Sequence, residues 1–399
     1  METLASHFIA VAHKILTAAD LPEGDSHQHE MHGGTAWLEF FGREEKVRGA
    51  IQWRYFGDDS AVVSDEDGFT FYDARARSAE RTGRSEWRLY YEGEFLSCAS
   101  PGDLLVVVKT RAGRYAGLVF ARDSGWHRAA LELFPPPAKD GRLSALNGSA
   151  LEKEAVPVLR RRILKALDLE EAPGTQSSDT ALMVAKFGNS FPGTRVLSDF
   201  ARSQSDTETK DPDGLLMAWL EREEALFRAL EAAIIGSQVK RGFPTVDEFL
   251  RFSLSVQNRR KSRMGQALQN HLEEIFRREG IRTTPQGRTE NRNRPDFLFP
   301  GDEEYRDPAF PSARLSMLGV KSTSKDRWRQ VLTEADRVPD KHLLTLETGI
   351  SNAQTDEMHR HGLTLVVPAQ LQATYSPAQS AWIMSLAEFI SLARRRQKA

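Results

Sequence analysis

Over roughly the first 125 residues, apolar and polar positions alternate in short runs. TAWLEFFG, VRGAIQWRYFG, GFTFYDAR, EWRLYYEGEF, DLLVVVKTR and GRYAGLVFAR each fit a strand, with Gly and Asp at the turns between them. Several strands at this spacing predict a small barrel or sandwich. Two longer segments beside them read as helices: SHFIAVAHKILTAA near the start, and ALEKEAVPVLRRRILKALDL from Ala150 to Leu169.

The pattern then changes. EEAPGTQSSD is small, polar and unpatterned, which predicts a linker over 171–179 between a first domain at 1–170 and a second at 180–399. SQSDTETKDPDG, Ser203 to Gly214, fits a long loop inside the second domain. MAWLEREEALFRALEAAII is a periodic helix. TVDEFLRFSLSVQ is another, opened by Thr245 and Glu248 in a capping box, and a third runs from about Met264 to Arg278. DFLFP and LSMLGVKS are short apolar runs that suit buried strands. DRWRQVLTEADRV fits a helix, KHLLTLE and LTLVVPA fit strands, and SLAEFISLARRRQ fits a closing helix. Strands alternating with helices predict an α/β layered fold.

Composition narrows the class. Of 399 residues, 40% are hydrophobic and 28% charged, the balance of a folded, water-soluble chain. No apolar run approaches the roughly 20 residues that span a bilayer, and METLASHFIAVAHKILTAAD lacks the basic lead-in of a secretory signal. The single cysteine, Cys98, excludes an internal disulfide framework and a cysteine-rich zinc site. A cytoplasmic location with no membrane contact is expected. The net charge of -2 argues against indiscriminate coating of nucleic acid but leaves room for a local basic face.

Candidate chemistry sits around RPDFLFP (Arg294–Pro300) and LSMLGVKS. Many metal-dependent nucleases place an aspartate at the start of one buried strand and a lysine at the end of the next, with an acid two positions before the lysine. Asp296 and Lys321 fit the first two places, but Gly319 stands in the third. Phosphodiester hydrolysis needs a divalent cation, and Mg²⁺ takes carboxylate oxygens, phosphate and water. A lysine beside it can hold the attacking water and offset developing charge. Pro-Asp also occurs at Pro212-Asp213 and Pro339-Asp340, so the dipeptide alone carries nothing. A strand-edge aspartate and a solvated lysine remain the plain alternative here. Glu334, on the border of the apolar face formed by Trp328, Val331, Leu332 and Ala335, is a natural substitute for the absent acid. The alternative is a surface glutamate paired with Arg327 or Gln330.

Two basic stretches are candidates for DNA contact. In NRRKSRMG, Arg259, Arg260, Lys261 and Arg263 gather without an acid among them, which suits phosphates and guanine edges. In FYDARARSAERTGRSEWR, arginines alternate with small and polar residues between Tyr72 and Trp87, which suits a groove-inserting loop. A solvated charge run is the usual explanation for the first, weakened by its place beside the candidate chemistry, and a solvated basic hairpin is the alternative for the second. Glu273 is a further candidate carboxylate, and His271 reads as a packing histidine. His27, His29 and His32 invite a zinc reading, but nothing else supports one.

Taken together, VDEFL…SVQNRRKSRMGQALQNHLEEIF, RPDFLFP, MLGVKSTSKDRWRQVLTEAD, HLLTLETGIS and LTLVVPAQL resemble the catalytic domain of EcoRII-type restriction endonucleases, nearly without gaps from about Gly242 to Tyr375. A weaker likeness reaches back to SFPGTRVLSDFA. The resemblance implies a restriction-endonuclease-like α/β nuclease core of the PD-(D/E)xK class with a displaced glutamate. Its implied active site is Asp296, Lys321, Lys325 and Glu334, with Asp296 and Glu334 holding Mg²⁺. One departure concerns Glu273: relatives often place an acid about a turn earlier, where this chain has Gln269. The family also carries an N-terminal, mostly β pseudobarrel that binds an additional DNA site and relieves inhibition of the nuclease. The thinner likeness there runs through KILTAAD, SHQ and the basic run, with Arg75, Arg81 and Arg84 near base-reading positions. Gly83 and Ser85 stand where relatives have charged residues.

The resemblance thus implies a type II site-specific endonuclease that cuts both strands of double-stranded DNA at a short palindrome, CC(A/T)GG-like. It would act as a homodimer beside a protective DNA cytosine methyltransferase. A modification-dependent nuclease and a non-cleaving DNA-binding regulator are the alternatives, and the intact Asp296, Lys321 and Glu334 set argues against the second. No Gly-x-x-x-x-Gly-Lys run supports ATP use.

Overall fold

The computed structural model describes residues 7–22, 29–32, 34–42, 46–57, 62–76, 85–134, 142–147, 176–205, 209, 211–321, 328–348 and 350–398. The helix expected over Ala150–Leu169 lies outside the described residues. Residues 1–171 with 348–351 form one compact unit, and 172–347 with 352–399 form another.

The first unit is an eight-stranded sheet of β1 (Phe8–Ile15), β2 (Glu30–His32), β3 (Lys46–Phe56), β4 (Val62–Asp73), β5 (Trp87–Tyr91), β6 (Leu104–Thr110), β7 (Tyr115–Phe120) and β8 (Ser144–Asn147), ordered β2-β5-β4-β3-β7-β6-β1-β8. Helix α1 (Thr35–Phe41) packs against β5 near one end of that order and against β1 and β8 at the other, so the sheet curls around it. Apolar clusters fill both faces. Trp37, Phe40, Phe41, Trp53, Phe69 and Tyr91 lie on the inner face, while Phe8, Phe56, Trp126 and Phe134 lie on the other under α2 (Gly125–Leu133).

Two elements differ from expectation, and burial decides each. SHFIAVAHKI reads as a helix, yet its core is β1. Ala10 and Ala12 face one cluster and Val11 the other, so an apolar strand in the middle of a sheet loses its alternation. TAWLEFF reads as a strand but is α1, which presents Ala36, Trp37, Phe40 and Phe41 at helical spacing.

In the second unit a five-stranded sheet, ordered β13-β12-β11-β10-β9, contains β9 (Thr284–Pro285), β10 (Phe297–Phe299), β11 (Ser316–Lys321), β12 (Lys341–Thr345) and β13 (Leu363–Val366). The pairs β9/β10 and β10/β11 are antiparallel, and β11/β12 and β12/β13 are parallel. Helices α3 (Gln176–Phe187), α4 (Thr194–Ser203), α5 (Pro212–Arg241) and α6 (Val246–Arg278) precede the sheet. The short α7 (Trp328–Leu332) and α8 (Asn352–Arg360) lie in the two parallel connections, and α9 (Leu386–Lys398) closes the chain. Phe276 of α6, Phe297 and Phe299 of β10 and Phe389 of α9 share the core beneath the sheet.

Residues 176–179, read as the end of a linker, form the first turn of α3. The two helices expected over Thr245–Gln257 and Met264–Arg278 are one continuous α6, started by Thr245 Oγ1 accepting from the Glu248 amide at 3.2 Å. The intervening Asn258–Gly265 run holds no proline, and a lone glycine costs a helix only about 1 kcal/mol.

Candidate active site

The three Pro-Asp dipeptides have three different surroundings. Asp213 is buried and caps α9 and the preceding turn, accepting the amides of Ala369, Leu386 and Ala387 at 2.9–3.0 Å. Asp340 pairs with Arg396 at 2.6 Å. Asp296 is buried at the start of β10, with Lys321 Nζ 3.7 Å from its Oδ2.

Asp296 is 8% exposed and densely held. Its Oδ2 accepts the Val320 amide at 2.6 Å. Its Oδ1 accepts Nε2 of Gln269 at 2.6 Å and Nε2 of Gln286 at 3.0 Å. Gln286 was not a sequence candidate, and Gln269 was noted only as a missing acid. Their reach to Asp296 depends on where α6 and the β9–β10 loop meet, which no local pattern encodes.

Glu334 follows α7 rather than lying in it. The helix ends at Leu332, and Ala335 takes a left-handed backbone with φ of 54°. Lys341, buried at the start of β12, donates its ammonium to the carbonyls of Glu334 and Ala335. Asn293 donates to the Thr333 carbonyl at 2.7 Å. The turn carries the half-buried Glu334 side chain into the field of Asp296 and Lys321. Burial pushes its carboxyl above the ordinary carboxylate range, the charge of Asp296 adds to that, and Lys321 and Lys341 oppose it.

Position 319 has little room for a side chain. A Cβ at 319 would lie 2.9 Å from Cγ2 of Val331, because α7 packs directly onto β11 there. Gly319→Ala is therefore expected to lower stability by about 1–3 kcal/mol, as overpacking a closed core does, and urea unfolding would measure it.

The remaining candidates separate. Glu273 does not join the cluster: its carboxylate takes Arg195 at 2.6 Å, and Gln269, one turn earlier, is the α6 residue that reaches Asp296. Arg263 is a correction to the basic patch. It is 4% exposed and paired with Glu223 and Glu224 of α5, with its guanidinium 4.3 Å over Phe227, so it is a cation of the helix interface and not an exposed DNA contact. Arg260 is bound by Glu231 at 2.6 Å. Lys261 and Arg259 are exposed, the latter 4.4 Å over Phe191. His271 is buried with its Nε2 3.0 Å from the Glu223 carboxylate, which agrees with a packing role. In the first unit, Arg75 is exposed but tied to Glu86 at 2.6 Å. His29 packs edge-on against Tyr91 at 5.3 Å. Lys325, Arg81, Arg84 and His27 lie outside the described residues.

Two carboxylates and a lysine suit a hard cation with oxygen ligands. Among the described residues there is no group of three or more His, Cys, Asp or Glu able to cage an ion. The donor set fits such a cation: burial, and after it the charge of Asp296, make the half-buried Glu334 carboxylate costly to ionise, and a divalent cation would offset that cost.

Comparison with known proteins places these residues in a family context. Residues 227–390 match the family model described as EcoRII C terminal. The type II restriction enzyme EcoRII of Escherichia coli is 39% identical over 231 residues, covering 58% of this chain and 56% of that protein. The chain thus spans about half the length of this curated relative. Among solved structures, metal-depleted Ecl18kI in complex with uncleaved, modified DNA is 14% identical, covers 56% of this chain and 85% of that one, and has a TM-score of 0.45. The restriction endonuclease PspGI–substrate DNA complex is 12% identical, covers 57% and 96%, and has a TM-score of 0.40. Among the described residues no helix is long and apolar enough to cross a membrane.

Proposed function

We propose that this chain, whose residues 227–390 carry the EcoRII C-terminal domain, is a type II site-specific endonuclease that hydrolyses both strands of DNA with Mg²⁺. The observation that carries the reading is the Asp296–Lys321 pair, 3.7 Å apart, with the pKa of the half-buried Glu334 carboxyl raised by burial and then by the charge of Asp296. Asp296 and Glu334 would hold the cation, which would supply charge neutralisation at the scissile phosphate and acidify a water. Lys321 donates from Nζ to the attacking water and to the phosphate as negative charge builds. Lys325 contacts the scissile phosphate or its neighbour. Arg259 and Lys261, both exposed, bind phosphate or base edges.

The curled β unit is proposed as a pseudobarrel effector that binds a second DNA site through Arg75, Arg81 and Arg84. Arg75 would exchange its Glu86 partner for phosphate. The target is proposed to be CC(A/T)GG-like and read by a homodimer, with a DNA cytosine methyltransferase protecting the cytoplasmic host DNA.

Digestion of a plasmid with several such sites, wild type beside Asp296→Ala, tests this. Discrete fragments are expected from the wild type, and the variant should lose at least about a thousandfold in rate, the scale of removing one preorganised charged group from a transition state. Wild type that binds but never cuts, on methylated and unmethylated DNA alike, would leave the regulator as the better account.

A further inference from the structure

We propose that Gln269 and Gln286 are positioning residues that fix which oxygen of Asp296 meets the cation. The inference rests on the reading of Asp296 as a cation ligand given above.

A carboxylate has two oxygens with about four acceptor sites. Two amides, at 2.6 and 3.0 Å, fill Oδ1. Among the described residues Oδ2 accepts a single hydrogen bond, from the Val320 amide, and Lys321 Nζ stands at 3.7 Å, outside hydrogen-bond range. Oδ2 is therefore the oxygen with an open site, and it faces the lysine. Asp296 then binds through one oxygen, with its plane set before any cation arrives.

The two glutamines come from unrelated elements, α6 and the β9–β10 loop, and both converge on one atom. Gln286 holds the aspartate twice: its backbone amide donates to the Asp296 carbonyl at 3.1 Å while its side chain reaches Oδ1. It does so from a left-handed backbone, φ 52°, which non-glycine residues rarely adopt and which concentrates at functional sites. Neutrality at 269 also follows from the geometry. An acid there would set a second carboxylate 2.6 Å from Oδ1, where the chain now supplies a donor.

The test is Mn²⁺ binding to the full-length chain, followed by electron paramagnetic resonance, with Gln269→Met, Gln286→Met and Asp296→Ala beside wild type. Methionine keeps the length and removes the donor. Each glutamine variant is expected to bind Mn²⁺ about 10- to 100-fold more weakly, the range for residues that orient a metal ligand. Far-UV circular dichroism and KM for DNA should be unchanged, and kcat should fall. Wild-type Mn²⁺ affinity in both methionine variants, with binding lost in Asp296→Ala, would overturn the positioning role and leave the ligand assignment standing. Undiminished binding in Asp296→Ala would overturn both.

Discussion

Glu334→Gln is expected to stop cleavage, by at least about a thousandfold, and also to raise the melting temperature of the cation-free protein at neutral pH. The two effects share a cause. Burial and the neighbouring Asp296 hold the folded Glu334 carboxyl above its ordinary range. The unfolded chain therefore releases this proton at lower pH than the folded chain does, and stability falls as pH rises between the two values. The ionised carboxylate is then a standing cost at neutral pH, and glutamine removes it. Below about pH 4 both states are protonated and the variant's advantage should vanish. Added Mg²⁺ should stabilise the wild type by mass action and leave the variant nearly unmoved. Melting curves at acid and neutral pH, with and without Mg²⁺, would check all three signs. A variant no more stable than wild type at neutral pH would contradict the assigned environment.

Arg263→Ala is expected to cost about 3–5 kcal/mol of stability, because it takes the guanidinium from the fully buried Glu223, while Glu224 keeps Arg228 at 2.7 Å. Glu223 and Glu224 are 0% and 6% exposed, so water cannot replace the guanidinium. The Phe227 face would also lose its cation. Urea unfolding of the variant should show a lower midpoint. DNA affinity per folded molecule, measured well below that midpoint, should stay within a few fold of wild type. A large loss of affinity without loss of stability would return Arg263 to the DNA interface.

What could be read from the sequence depended on whether the signal was local. Asp296 and Lys321 flank short apolar strands, and strand ends are visible in a pattern of a few residues. Glu334 was legible as an acid near the apolar face of α7, although the helix stops at Leu332 and a left-handed Ala335, not a further helical turn, delivers it. Arg263 was misread because NRRKSRMG shows only the cations. Its acids lie forty residues earlier on α5, and helix packing alone brings them together. The opposite roles of β1 and α1 have a similar origin. Both segments are short and apolar, and what decides each is how many faces the surrounding sheet covers. Gln269 was legible as a departure from the resembling family, but its bond to Asp296 was not, because a glutamine amide gives no sequence signal of its partner.

The contact between Gly319 and Val331 constrains how such a site can change over time. A lineage moving the acid from 334 to 319 would meet a packing cost, because a side chain at 319 has to displace Val331 and with it the helix that leads to Glu334. A change that thins α7, such as a smaller residue at 331, would lower that cost before either acid moved. Under the proposed ligand set, an acid lost first at 334 would leave a single carboxylate for the cation, so the contact acts as a latch that favours the carboxylate at 334.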